Sequence, residues 1–169
     1  MWMPVRAAST VPIRVAVTPA AWNAAATRAA AEALQALPAG AVHACTDITG
    51  FGLIGHASEI AKGSGVTLSI NAAQVPVFTG VLSIAAANRS GGLGSNEDHF
   101  AAGVAVDPGV DADREAILYD PQTSGGLLVA ANAESADEVR AALIAAGVDA
   151  VRIGWVGAGR PGTQVVVQA

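Results

Sequence analysis

The chain is poor in most of the residues that usually announce a function. Among 169 residues there is one lysine, Lys62, one cysteine, Cys45, three histidines and few aromatics. The formal net charge is −5, and the arginines stand singly. Binding to nucleic acid needs clustered Lys and Arg to neutralise phosphates, so this charge pattern argues against such a partner. A lone cysteine excludes an intramolecular disulfide framework and a multi-cysteine metal site. It also makes a reducing cytoplasm the expected compartment. No apolar run reaches membrane-spanning length, so no membrane partner is expected. Also lacking are a Ser-His-Asp order with helpful spacing, an HExxH helix, the Gly-Lys-Ser ending of a P-loop and a closely spaced carboxylate pair. Residues 1–31 contain no acid but do contain Arg6, Arg14 and Arg28. That composition suits a transit peptide. The plainer reading is an irregular leader over residues 1–20, followed by an alanine-rich helix.

Over half of the residues, 52%, are apolar, and many of them are alanines. The length suits one compact domain whose core must be tightly packed. Thr18-Pro19 reads as a helix start, with Trp22, Ala26, Ala29, Ala30, Ala33, Leu34 and Leu37 at helical spacing and Pro38-Ala39-Gly40 as the stop. Val42 to Asp47 reads as a strand. A helix over Leu53 to about Lys62 follows, and then a half-buried strand over 66–70. A third helix is expected over 77–87, a polar glycine loop over 88–98, a strand over 99–106 and a short helix over 111–118. Leu127 to Ala131 reads as a strand, Ser135 to Glu138 as a capping box opening a helix, and Gly147 as its C-terminal cap. Val151, Ile153 and Trp155 alternate as a strand, and 165–167 is a candidate for a last one. The mix predicts an α+β (α/β layered) fold, a single mixed sheet covered by helices.

Three stretches carry candidate chemistry. In "HACTDITGFGLIGH", residues 43–56, Asp47 sits where a strand ends and a glycine-rich turn begins. Carboxylates so placed often hold Mg²⁺, and the glycines let a phosphate approach closely. The alternative is a turn in which Asp47 accepts the Thr49 amide. His56, on the following helix, is either a packed side chain or a ligand. His43 and Asp47 share a strand face with Cys45 between them, and Cys45 itself reads as a small buried hydrophobe. The second stretch, Gly91-Gly92-Leu93-Gly94-Ser95-Asn96, could present amides to an anion or simply connect two elements. The third, Asp120-Pro121-Gln122-Thr123-Ser124-Gly125-Gly126, feeds straight into an apolar strand but has no chemistry assigned by its residues alone.

Taken together, "ACTDITGFGLIGH" and "LYDPQTSGGLL" resemble the selenophosphate synthetase (selenide, water dikinase) family. The resemblance covers about residues 22 to 157 and falls on that family's C-terminal domain. This is the fold of the aminoimidazole ribonucleotide synthetase-like superfamily. The resemblance implies a reaction of ATP, selenide and water giving selenophosphate, AMP and phosphate, with Mg²⁺ and ATP as cofactor and substrate. It also implies a homodimer, and ATP lying between this domain and an N-terminal ATP-binding domain that is absent from this chain. It places the metal ligand on Asp47 and nucleotide contacts on Thr49, Gly50 and Gly52, with no catalytic residue in residues 21–169. Cys45 and Lys62 do not match the family's reactive cysteine and its nearby lysine. The family's Gly-Gly-Thr-x-Arg-Asn loop reads Gly-Gly-Leu-Gly-Ser-Asn here, which removes a hydroxyl and a guanidinium. Three readings follow: part of a dikinase that is inactive without its N-terminal half, a stand-alone remnant that binds or dimerises without catalysis, or another kinase of the same superfamily, against which the Thr-Gly-Phe-Gly run speaks.

Overall fold

The computed structural model describes residues 13–17, 24–123 and 125–169. The strands are β1 (Ile13–Val17), β2 (Val42–Asp47), β3 (Val66–Asn71), β4 (Val104–Val106), β5 (Leu127–Asn132), β6 (Val151–Ala158) and β7 (Val165–Gln168). The helices are α1 (Ala24–Gln35), α2 (Gly52–Ser64), α3 (Val81–Ala85), α4 (Gly91–Phe100), α5 (Ala112–Tyr119) and α6 (Ala136–Ala145). The strands form one seven-stranded mixed sheet in the order β2-β5-β1-β6-β3-β7-β4. Pairing is antiparallel from β2 through β3, while β7 runs parallel to both β3 and β4.

The sheet is covered on both faces, and β5 shows why. Its sequence is a continuous apolar run, as expected of a strand buried on two sides. Leu127, Val129 and Ala131 pack with Ala30 of α1 and with Val139 and Leu143 of α6. Leu128 and Ala130 point the other way, into a larger cluster with Leu53, Ile54 and Ala57 of α2, Leu93 and Phe100 of α4, and Leu118 of α5. The expected layered α+β architecture is therefore the one found.

Several local expectations change. The leader expected over residues 1–20 is interrupted by β1, which lies inside the sheet between β5 and β6. Pro4 and Pro12 obscured that short apolar segment. The helix start expected at Thr18-Pro19 lies outside the described residues. The glycine loop expected over 88–98 is largely helix α4. Its glycines suggested a loop, but Ser90 caps it, accepting the Leu93 amide at 3.1 Å, and Leu93, Asn96 and Phe100 bury one face. The strand expected over 99–106 shrinks to β4, because α4 runs to Phe100 and a 3-10 turn takes Ala101–Gly103. The third helix, expected over 77–87, is confined to α3. Ser135 precedes α6, but its side chain makes no capping hydrogen bond.

Candidate functional site

β2 is an edge strand, and Asp47 is its last residue and is exposed. The strand carries an irregularity between Val42 and Ala44. Through it, Val42 and Cys45 both pack toward α1 and α6. The face expected to join His43 to Asp47 is therefore broken at His43. Burial, reinforced by the Asp47 charge, pushes the Cys45 thiol up to about 11. It is a half-buried side chain packed against the cluster between α1 and α6, where burial favours the protonated thiol.

Beyond Asp47 the chain turns through Thr49 and Gly50 into α2. The turn hydrogen bond that competed with a metal role for Asp47 is not made by Asp47. The Thr49 amide donates instead to Nε2 of His56 at 3.0 Å, and Thr49 Oγ1 lies 3.1 Å from the same nitrogen. Side chains on a helix lean back toward its N-terminus, so His56, the fifth residue of α2, reaches the preceding turn. Burial lowers the His56 pKa from 6.5, against the opposing pull of Asp47 and Glu59. The neutral imidazole is the form able to accept the amide. Among the described residues, no donor reaches the Asp47 carboxylate.

The two motif stretches meet around this turn. Ile48 donates its amide to the Gly126 carbonyl at 2.9 Å, and Gln122 donates its amide to the Thr49 carbonyl at 3.0 Å. Gly52 has φ +66°, and a Cβ there would lie 2.7 Å from the Tyr119 carbonyl carbon. Only glycine fits that conformation and that approach. Asn96, 8% exposed, ties the same loops together. Its side-chain amide donates to the Gly50 carbonyl at 2.9 Å and to the Tyr119 carbonyl at 2.8 Å. Ser90 Oγ donates to Asp120 Oδ1 at 3.2 Å, and a Cβ on Gly92 would meet the Pro121 ring at 2.7 Å. The Gly91–Asn96 stretch thus acts as a clamp under the other two. Neither expectation for this stretch, an anion-binding loop or a simple connection, includes this role of Asn96, for which no local signal exists.

Of the three residues expected to contact nucleotide, Gly50 is exposed, with open space where a side chain would stand. The Thr49 amide is already engaged by His56, and Gly52 is pressed against the backbone of Tyr119 and Asp120. As a test of fit to Mg²⁺, Asp47 offers one hard, accessible oxygen donor of the right kind. Among the described residues no group of three or more His, Cys, Asp or Glu side chains could hold a metal. These residues can furnish one ligand and no complete site. Beside the turn lies a cavity of about 240 Å³, walled by Ile48, Leu53, Val75, Phe78, Val81 and Leu118, with Asp120 and Gln122 also on its lining. Phe78 and Ile84 are 64% and 56% exposed nearby in sequence. Among the described residues no helix is long and apolar enough to cross a membrane.

Known proteins share both sequence and fold with this chain. The chain is 44% identical over 110 residues to the selenide, water dikinase of Burkholderia pseudomallei, a match covering 64% of this chain and 30% of that protein. It is 39% identical over 127 residues to the selenide, water dikinase of Dechloromonas aromatica, covering 74% of this chain and 36% of that protein. The chain thus spans about a third of the length of these curated relatives. In fold it is similar to E. coli HypE, with a TM-score of 0.63 at 19% identity over 99% of this chain and 49% of that one. It is also similar to T. maritima PurL complexed with ADP, with a TM-score of 0.62 at 13% identity over 98% of this chain and 24% of that one. The family model described as AIR synthase related protein, C-terminal domain, matches residues 7–167, and the chain belongs to that family.

Proposed function

We propose that this chain is the C-terminal part of a selenide, water dikinase, which converts ATP, selenide and water to selenophosphate, AMP and phosphate. The observation that carries the reading is the free, exposed Asp47 carboxylate at the end of β2, in a turn anchored from three sides. In this reading Asp47 gives one oxygen to Mg²⁺ held with ATP, and Gly50 leaves the approach open. Bound Mg²⁺ would neutralise phosphate charge during phosphoryl transfer. Thr49 and Gly52 shape the turn. The remaining ligands come from an N-terminal ATP-binding part, which docks over the end of β2. Identity of 39–44% to proteins named selenide, water dikinase supports the substrate assignment.

The test is a chimera in which this chain replaces the matching third of the Burkholderia pseudomallei relative. Selenide-dependent AMP formation supports the reading. A folded, ATP-binding chimera without turnover, beside an active parent, contradicts it. A second reading, a binding or dimerisation module without catalysis, draws on the exposed Phe78, which lines the apolar cavity, and on the exposed Ile84 six residues on. Such a surface suits a homodimer or an N-terminal domain as partner. If the chain alone is a stable dimer and the chimera is inactive, the second reading prevails.

A further inference from the structure

We infer that His56 is a positioning residue for Asp47: by taking the Thr49 amide, it keeps the Asp47 carboxylate from folding back onto its own turn and leaves it free for a metal. The inference rests on the proposed metal role of Asp47, but its structural half stands on hydrogen bonding alone.

An aspartate at the start of a turn readily accepts the amide two residues ahead. This chain shows that habit twice. Asp107 Oδ1 accepts the Gly109 amide at 2.8 Å, and Asn132 Oδ1 accepts the Glu134 amide at 3.1 Å. Asp47 is the counter-example. The amide two residues on belongs to Thr49, and it goes to His56 Nε2, seven residues away in sequence, at 3.0 Å. The Thr49 carbonyl is also fixed, accepting the Gly52 and Gln122 amides at 3.0 Å each. With the Thr49 amide engaged by His56, Asp47 loses the donor that an aspartate at a turn start usually accepts, and the Thr49 carbonyl contacts hold that amide in place. A carboxylate bonded to its own backbone is held in the turn's orientation with one oxygen already engaged, so the substitution of acceptor leaves both oxygens of Asp47 open and prepares the ligand in advance. The Phe51 ring, centred 5.7 Å from the imidazole, and the burial of neighbouring Ala57 help hold His56 in place.

Amide hydrogen exchange of the full chain, read at Thr49 by NMR, tests the acceptor exchange. Asp47→Ala should leave Thr49 protection unchanged. His56→Ala should lower it only partly, because Asp47 then captures the amide. The double variant should exchange about tenfold faster than wild type, as expected for loss of one hydrogen bond. His56→Gln, whose side-chain oxygen can accept the amide, should restore protection. Loss of protection in Asp47→Ala alone overturns the inference, and so does wild-type protection in the double variant. The functional half is read in the chimera. His56→Ala should raise the Mg²⁺ concentration for half-maximal rate severalfold and largely spare the rate at saturating Mg²⁺, with His56→Gln near wild type. An unchanged Mg²⁺ requirement overturns the positioning role. A wild-type chimera without activity defeats the dikinase reading instead, while the exchange data still decide which group holds the amide.

Discussion

Asn96 lies 46 residues beyond Gly50 in sequence, yet its side-chain amide donates to the Gly50 carbonyl at 2.9 Å. The same nitrogen donates to the Tyr119 carbonyl at 2.8 Å. One buried side chain thus fastens the turn after Asp47 to the loop that begins "YDPQ". Asn96→Leu fills the space but leaves two carbonyls without donors. It should cost about 2 to 3 kcal/mol of unfolding free energy. Asn96→Asp turns an acceptor toward those carbonyls and should cost at least as much. Urea unfolding of the chain measures both.

Gly52 and Gly50 make a matched pair, two residues apart in one turn. Gly52 combines a left-handed φ with contact against the Tyr119 backbone, whereas Gly50 has nothing within 4 Å of a built Cβ. Gly52→Ala should therefore destabilise the chain by about 2 kcal/mol or more. Gly50→Ala should stay within about 0.5 kcal/mol. Equal losses in denaturant melts would show that the close approach at Gly52 is not what the turn requires.

His56 makes part of the stability depend on pH. Its folded pKa lies below 6.5 through burial, so on acidification the unfolded chain takes up this proton first. The stability it contributes is whole above 6.5 and is lost as the pH falls through the folded value. Unfolding free energy measured from about pH 7 to about pH 5 should fall more steeply for wild type than for His56→Gln. Parallel slopes would show that His56 is not held neutral.

Cys45 should be inert. With its thiol pushed up to about 11, only about a thousandth is thiolate near pH 8. Alkylation by iodoacetamide should be about a hundredfold slower in the native chain than after unfolding in guanidinium. Fast native labelling would contradict its place between the β2 ladder and α1.

How much of this could be read from the sequence depended on distance along the chain. β2 was legible to its last residue, because Val42 to Asp47 is a strand bounded by Gly40 on one side and the glycine turn on the other. So was the position of Asp47 at the strand end. α2 and β5 followed from apolar patterning. α4 was not legible, since four of its first six residues are Gly or Ser and its evidence for helix is the burial of Leu93, Asn96 and Phe100. β1 was hidden because a short strand shows itself only by its neighbours, and those neighbours, β5 and β6, lie more than a hundred residues on. The link from Thr49 to His56 depends on which ring nitrogen carries the proton. The Asn96 clamp joins three distant segments. Residue spacing contains neither.

The most direct measurement is the Mg²⁺ dependence of selenide-dependent AMP formation by the chimera, with and without Asp47→Asn. Asp47→Asn should abolish turnover or shift the Mg²⁺ requirement upward by at least about tenfold, while the fold and its melting are preserved. A variant that turns over at the wild-type rate with the wild-type Mg²⁺ requirement would contradict the metal role of Asp47.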